Sequence, residues 1–447
     1  MNYNYNPQEK ILQISLEKCS QKEIQQQLKN IQKNFSRAQL VKQNTNKYIN
    51  MEKYESNSLD NFVSFQNVNI ISKLSISIAK DTPLKLQQMR QLLSYSCGNN
   101  CDLIDLSLKI EENQIGSKGA YLIAYQILKL TNLQNLKIEI QSNNIKSKGA
   151  QALAYSISQL KNLKTLSLKI DRENNISDSP KKQQNSFCEF FNFHFFNCLD
   201  NEEYQYFEKL IDQEIDGICA IMNMLENHQS LQELELNIDN DQVQQQNIHN
   251  DKSFIQVLWN LTNLKKLNVV FGQYFCNNNM LAFPTNFKKL INLTNLSISI
   301  QGNCQFSLQG IFLLKNTLLN IPNLTQLSIE MGAKNNIKSE GVCTLFEAVG
   351  ELNFLTSLNL QIKWGNFIGV QGAKAISESI SKLQKLKQLT IFIDESSNDI
   401  DFDGSYFLGS SILQLKQLRS VRAKFFQSQV LKKTLMRKQI RLVNQLL

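Results

Sequence analysis

Apolar residues recur along the chain in one short frame, apolar-x-x-apolar-x-apolar-x-apolar. The copy at Leu133, Leu136, Ile138 and Ile140 is typical, and its period of two predicts a short strand with one buried face. The polar residues between these positions are expected to face outward. Complete copies begin at Leu133, Leu163, Leu231, Leu264, Leu293, Leu324, Leu355 and Leu386, and degenerate copies begin at Ile71, Leu103 and Leu418.

Neighbouring copies lie about 31 residues apart, except for one step of 68 residues between Leu166 and Leu234. A turn containing Asn follows many of the strands, as at Asn143-Asn144, and helical spacing then begins at a small pair such as Gly149-Ala150. A unit of this size cannot bury its apolar face alone. The copies are therefore predicted to stack, with parallel strands joined by right-handed helical crossovers.

The ends of each predicted helix carry two recurrent signals. A serine stands two residues before the helix glycine and is predicted to cap the first free amide groups. An asparagine stands just before the next strand and is predicted to adopt the left-handed backbone of a helix exit. The serines are Ser117, Ser147 and Ser339, and the asparagines are Asn132, Asn162, Asn263, Asn292 and Asn323.

This pattern resembles the leucine-rich repeat family, in the long, helix-containing class typified by ribonuclease inhibitor and the Ran GTPase-activating protein. The frame, the Asn-Ile turn and the Gly-Ala-x-x-Leu-Ala helix start carry the resemblance over about residues 68–425. It implies an α/β solenoid, a curved horseshoe with a parallel sheet on the concave face and helices on the convex face. Here one additional apolar residue separates the strand from the family's usual asparagine position. The abundant Asn and Gln resemble proteins of AT-rich protist genomes.

Three segments flank or interrupt about 11 predicted repeats. The Asn- and Gln-rich region 1–67 is predicted to be irregular over Tyr3–Asn6 and to contain a helix at Ile24–Phe35 that caps the first repeat or pairs with another chain. A Phe-rich insertion at about 176–213 is interpreted as a docking element or as a local core folded back on the solenoid. A basic amphipathic helix is predicted over 426–447.

The formal charge of +9 is concentrated at one end, because the segment from Lys416 onward has nine basic residues and no acidic one. The tail helix can cap the last repeat or bind an acidic membrane surface, a calmodulin-like partner or RNA. The outward sheet positions carry nearly balanced charges, which argues against a groove for phosphate backbones. They are also poor in Trp, Tyr and Arg, so strong binding anchors are expected elsewhere.

The sequence contains no recognisable catalytic constellation. It has only three histidines, and no nucleophile elbow, phosphate-binding Gly-rich loop or two-His zinc motif is found. Cys188, His194 and Cys198 do not have the spacing of a zinc site. An enzyme, a cofactor and a metal are therefore not expected. The odd count of nine cysteines and the lack of a long apolar run favour a cytoplasmic protein, with a nuclear location as the alternative, and no membrane span.

We therefore expect a non-enzymatic scaffold that binds a protein partner of unknown identity, rather than nucleic acid. The alternatives are a GTPase regulator resembling the Ran GTPase-activating protein, and RNA binding through the basic tail. The sequence leaves the oligomeric state open. Candidate partner-binding residues are Lys137, Glu139, Ser167, Lys169, Glu233 and Glu235 on the strands, Phe190, Phe191, Phe193, Phe195 and Phe196 in the insertion, and Lys432, Lys433, Arg437, Lys438 and Arg441 in the tail.

Overall fold

The computed structural model of the protein divides into two compact units, Met1–His228 and Gln229–Leu447. We call them unit 1 and unit 2 and describe each by itself. The structure describes residues 2–6, 11–16, 26, 29, 72–82, 86–97, 103–170, 174–176, 206–207, 209–210, 217–238, 257–258, 260–272, 290–304, 308–395, 397–425 and 441–442.

Unit 1 is built from strands that follow one another side by side in chain order. The first two are antiparallel, and the second to the sixth are parallel. The strands are β1 (Asn2–Asn6), β2 (Ile11–Leu16), β3 (Lys73–Ile78), β4 (Asp105–Glu111), β5 (Asn135–Gln141) and β6 (Thr165–Ile170). The helices are α1 (Leu86–Cys97), α2 (Gly116–Leu128), α3 (Lys146–Ser158) and α4 (Gly217–Glu226).

Unit 2 repeats the same arrangement with parallel strands throughout the parts that the structure describes. The strands are β7 (Glu233–Ile238), β8 (Lys266–Phe271), β9 (Asn295–Ile300), β10 (Gln326–Met331), β11 (Ser357–Ile362), β12 (Gln388–Ile393), β13 (Ser420–Lys424) and β14 (Arg441–Leu442). The helices are α5 (Leu308–Leu319), α6 (Lys338–Val349), α7 (Gly369–Lys382) and α8 (Phe402–Gln414).

The repeat frame lies in register from strand to strand. Leu136 pairs with Leu106 on one side and Leu166 on the other, and all three side chains are buried. Successive helices of each unit pack against one another, and their small residues allow the approach: a Cβ on Gly149 would lie 2.9 Å from Ala120 Cβ. Each unit thus has the α/β architecture of a leucine-rich repeat solenoid, as the frame predicts.

Both ends of the described chain depart from expectation. Tyr3–Asn6 belongs to β1 rather than to an irregular stretch, and β2 adds a strand in register with β3. Gln26 and Lys29 are helical, within the helix predicted at 24–35, whose other residues lie outside the described part. Arg441 and Leu442 form β14 beside β13, so the helix predicted over 426–447 is wrong at these two residues.

The turn after the strand follows an alternating backbone pattern. In the turn after β5, Ser142, Asn144 and Lys146 have φ angles of 49°, 52° and 59°, and the intervening Asn143 is buried. The turn after β10 repeats this pattern at Lys334, Asn336 and Lys338 around the buried Asn335. Non-glycine residues rarely adopt positive φ. Three such positions in one turn therefore indicate a conformation held by its neighbours.

Buried asparagines link these turns in a ladder. The Asn143 side chain donates to the carbonyl oxygens of Ile110 (2.9 Å) and Gln141 (2.7 Å), and its Oδ1 accepts from the backbone N–H of Asn113 at 3.0 Å. In the same way, Oδ1 of Asn174 accepts from the backbone N–H of Asn143, and Oδ1 of Asn335 accepts from the backbone N–H of Cys304. The ladder exists although the asparagine stands later in the repeat than is usual for the family.

The two predicted helix-end roles are wrong, for the same physical reason. Neighbouring repeats offer better partners than the residue's own helix end. Ser117 lies inside α2 and donates to Ile145 O of the next repeat at 2.7 Å, whereas α2 has no side-chain cap. Asn162 donates to Thr131 O of the preceding repeat at 3.1 Å. None of the predicted exit asparagines is among the residues with positive φ in the described part.

Candidate interaction surfaces

The outward face of the unit 1 sheet carries a small ion network centred on Glu139. Lys137 Nζ and Lys169 Nζ lie 3.0 Å and 3.2 Å from the same Glu139 Oε1. Burial of this side chain, which is 12% exposed, would by itself raise its pKa, but hydrogen bonds and charge from the two lysines lower the pKa of Glu139 overall. Two lysines thus share one carboxylate.

The predicted contact residues of this face are not equally accessible. Lys137 retains a half-exposed side chain, whereas Lys169 is more enclosed. Ser167 is only 7% exposed, so it is not an open contact position. The structure therefore brings Lys137, Glu139 and Lys169 together and leaves Ser167 beneath the accessible surface.

On unit 2 the outward side chains hold one another across neighbouring strands. The Asn268 side chain donates to Glu235 Oε1 at 3.1 Å, and that of Asn359 donates to Ser328 Oγ at 2.8 Å. Lys266 Nζ lies 3.7 Å from Glu233 Oε2. These cross-strand bonds fix the positions of polar side chains on the sheet face.

Most of the remaining candidate residues lie outside the part of the chain that the structure describes. Phe190, Phe191, Phe193, Phe195 and Phe196, and also Lys432, Lys433, Arg437 and Lys438, lie outside the described residues. Arg441 is described only as backbone in β14. These candidates stay predictions.

The end of the predicted insertion that the structure describes packs on the helices of unit 1. Phe207 is fully buried, and its ring centroid lies 5.5 Å from that of Tyr121 and 6.5 Å from that of Tyr155. The burial of Phe207 agrees, at this one residue, with the interpretation that the insertion folds back on the solenoid as a local core. A groove of about 210 Å³ beside it is lined by Tyr155, Leu210 and Met224, among others. The hydroxyls of Tyr155 and Tyr206 lie 3.4 Å apart, and this contact with burial raises the pKa of Tyr206 to about 12.

Three neighbouring turns of unit 2 carry a surface that the sequence interpretation missed. We call them the basic turn (332–338), the aromatic turn (363–369) and the acidic turn (394–395 and 397–401), which follow β10, β11 and β12. Backbone bonds join them side by side: Lys334 N–H donates to Trp364 O, and Phe367 N–H donates to Ser397 O, each at 2.9 Å.

The aromatic turn exposes two large rings. Trp364 is 41% exposed and Phe367 is 46% exposed, and Lys334 Nζ lies 4.7 Å from the centre of the Trp364 ring. Phe367 also has a φ of 52°, at a position where other turns hold Asn144 or Asn336. A bulky aromatic residue in this conformation is a genuine outlier.

The charges on the two flanking turns have opposite signs. Lys334 and Lys338 are exposed on the basic turn, and Asp399 and Asp401 are exposed on the acidic turn. No basic residue occurs between Lys387 and Lys416. Phe402 and Tyr406 on α8, which follows the acidic turn, are 61% and 65% exposed. Aligning the turns of successive repeats is the sequence signal that could have found this arrangement.

The described residues contain no group of three or more His, Cys, Asp or Glu that could hold a metal ion. Among the same residues, no helix combines the length and apolarity that a membrane crossing requires.

Comparisons with known proteins give similarities at the level of solved structures only. TLR13 in its complex with ssRNA13 is similar at 16% identity and a TM-score of 0.35, over 80% of this chain and 40% of the TLR13 chain. A leucine-rich repeat protein of Leptospira interrogans is similar at 14% identity and a TM-score of 0.27, over 84% of this chain and 90% of the other. This chain thus spans less than half of the TLR13 chain. No protein-family model and no curated protein matches the sequence.

Proposed function

We propose that this protein is a non-enzymatic scaffold that binds a protein partner on the outward face of its sheet. The observation that carries the proposal is the fixed arrangement of polar side chains across the strands. The bond from Asn359 to Ser328 is an example in unit 2, and the pairing of Lys137 and Lys169 with Glu139 is one in unit 1.

Binding normally costs side-chain entropy when mobile surface residues become ordered. Side chains already held by their neighbours lose less freedom, so a surface of this kind favours a complementary polar partner. Alternating charges and amides along the register rows provide specificity rather than strong hydrophobic affinity. A protein surface with matching polar groups fits this face better than a phosphate backbone, since Glu139, Glu235 and Glu330 stand among its lysines and amides.

The test is site-specific photo-crosslinking in cells that express the full chain. A photoreactive phenylalanine analogue at Ser297, a half-buried position on the outward face of β9, is compared with the same analogue at the exposed Lys374 on α7. The proposal expects one discrete protein to be crosslinked from Ser297 and not from Lys374. It expects Ser328→Arg, which places a bulky group on the same face, to abolish that product.

Crosslinking of the same protein from Lys374 alone would contradict the proposal, as would a product that Ser328→Arg leaves unchanged. Circular dichroism of the Ser328→Arg variant checks that its fold is retained, since the substituted side chain points away from the core.

A further inference from the structure

We propose that the basic, aromatic and acidic turns of unit 2 form a self-complementary surface on which a second copy of this chain docks about a two-fold axis. The axis passes through the aromatic turn at Phe367. Three features of these turns support this arrangement: the order of the charges, the exposed rings between them, and the strained backbone of Phe367.

The alternating backbone pattern places the residues of the three turns at matching levels. Lys334, Gly365 and Ser397 occupy the first level, and Asn336, Phe367 and Asp399 the second. At the third level, Lys338 and Gly369 both have positive φ, and their N–H groups donate to Asn366 O and Asn398 O. Asp401 stands at the matching position of the acidic turn, three residues after the buried Asn398, with an extended backbone. Positive charge therefore lies on one side of Phe367, and negative charge on the other.

A two-fold axis that lies in the plane of the contact and runs along the aromatic turn at Phe367 exchanges the two flanking turns and keeps the order of the levels. It places Lys338 opposite Asp401 of the second copy, and Asn336 opposite Asp399 of the second copy, with Lys334 beside these pairs. Each copy contributes both members of each pair, because the interface of a two-fold dimer uses the same patch twice. A surface with the same sign on both flanks would repel its copy under this rotation.

The centre of the patch supplies apolar contact. Gly365 and Gly369 flank Phe367 and carry no side chains, so the exposed ring stands clear of its own turn. Exposed aromatic residues are the side chains that most often dominate interface affinity. Backbone strain of the kind seen at Phe367 persists at sites where it serves function. Ring-to-ring contact across the axis gives this residue such a role.

The experiment is sedimentation equilibrium of the full chain over a range of micromolar concentrations. The wild-type protein is expected to show a reversible monomer–dimer equilibrium. A negative variant, Lys334→Glu with Lys338→Glu, and a positive variant, Asp399→Lys with Asp401→Ser, should each weaken dimerisation by roughly tenfold or more. Serine at 401 keeps an N-cap for α8, whose Gly404 N–H is bonded to Asp401 at 3.0 Å.

Mixing the two variants makes the test decisive. An equimolar mixture should restore dimers that contain one copy of each, because every flank then meets the opposite charge. A control variant with the same change in charge outside the patch, Lys161→Glu with Lys164→Glu in unit 1, should dimerise like the wild-type protein. Thermal unfolding of each variant checks the fold.

A wild-type protein that stays monomeric across the concentration range overturns the proposal. A dimer that neither variant weakens places the interface elsewhere and also overturns it. Weakening by both variants without recovery in the mixture overturns the two-fold arrangement and places the patch against a different surface of the second copy.

Discussion

The Oδ1 atom of Asn174 accepts a hydrogen bond from the backbone N–H of Asn143 at 3.1 Å, although the two residues are 31 positions apart. The Asn174 side chain also donates to Ile140 O at 2.6 Å. One buried amide thus satisfies backbone groups of the preceding repeat that no strand or helix can reach. Buried backbone groups that lose their partners carry a full desolvation penalty, so these asparagines are expected to contribute strongly to the stability of the solenoid.

Replacement of Asn143 by alanine is expected to destabilise unit 1 by about 3 kcal/mol or more, because it leaves several buried backbone groups without partners at about 1–3 kcal/mol each. Urea unfolding followed by circular dichroism measures this change. Asn162→Ala is the matched control, since it removes one exposed bond to Thr131 O and should cost under about 1 kcal/mol. Equal losses in the two variants would contradict the special role of the ladder.

Tight packing between helices gives a second prediction. A Cβ at Gly217 would lie 2.6 Å from Ala150 Cβ and 2.9 Å from Ile176 O, whereas at Gly372 the nearest atom would be Ile368 Cβ at 3.1 Å. Gly217→Ala should therefore destabilise the protein by about 2 kcal/mol or more, typical of an overpacked site. Gly372→Ala should change stability by under about 1 kcal/mol, because the clash is smaller and alanine favours helix.

Thermal denaturation of the two single variants and the wild-type protein measures which substitution, at Gly217 or at Gly372, lowers stability more. The opposite order would show that the helices shift apart without cost at Gly217, and that close approach is not required there.

The ion network at Glu139 predicts a pH dependence. Because the folded-state pKa of Glu139 lies below its ordinary value of 4.5, this group stabilises the fold above that value. The contribution is lost as the pH falls through the lowered pKa. Glu139→Gln should therefore cost about 1 kcal/mol at neutral pH, where two lysines are left facing each other, and close to nothing at low pH.

Urea unfolding of the wild-type and Glu139→Gln proteins, from roughly pH 7 down to pH 3, measures this difference. Glu351→Gln serves as the control, since Glu351 meets Lys382 in an exposed pair at 3.5 Å and should show a much smaller effect. A stability difference that persists unchanged at the lowest pH would argue against the charge-based explanation.

Relief of backbone strain gives a fourth prediction. Phe367→Asn should stabilise the monomer by about 1 kcal/mol, because asparagine tolerates the left-handed conformation and the lost ring is half exposed. Phe367→Leu keeps the strain and should bring no gain. Thermal unfolding at a concentration low enough to keep the protein monomeric separates this effect from association. A destabilised Asn variant would mean that the ring packs usefully within its own unit.

The repeat frame alone predicts most of the fold, because its apolar positions are the residues whose burial defines each strand. Leu136, Ile138 and Ile140 are buried as their spacing requires. The helix-end roles of Ser117 and Asn162 could not be obtained in this way. Their partners belong to adjacent repeats, and a local capping argument considers only the residue's own helix.

The interaction surfaces could be predicted from the sequence only in part. Glu139 and its lysines follow from alternation along β5 and β6, but the burial of Ser167 does not. The opposite charges of Lys338 and Asp401 on the two flanks become visible only when turns separated by whole repeats are placed side by side. The strand β2 was missed because it carries only the last three apolar positions of the frame, Leu12, Ile14 and Leu16, with Glu9 at the first, and β1 alternates Asn with Tyr.

Equal registers along β9, β10 and β11 make the length of unit 2 adjustable in whole coils. Thr325 and Thr356 occupy equivalent positions, and each donates its hydroxyl hydrogen to the corresponding carbonyl one coil earlier. Excision of residues 326–356 would join Thr325 directly to Ser357. The strand that starts at Ser357 would then lie beside β9 in the register that β10 now has. Unequal recombination between such copies would thus yield shorter or longer descendants that still fold, whereas removal of a partial coil would not.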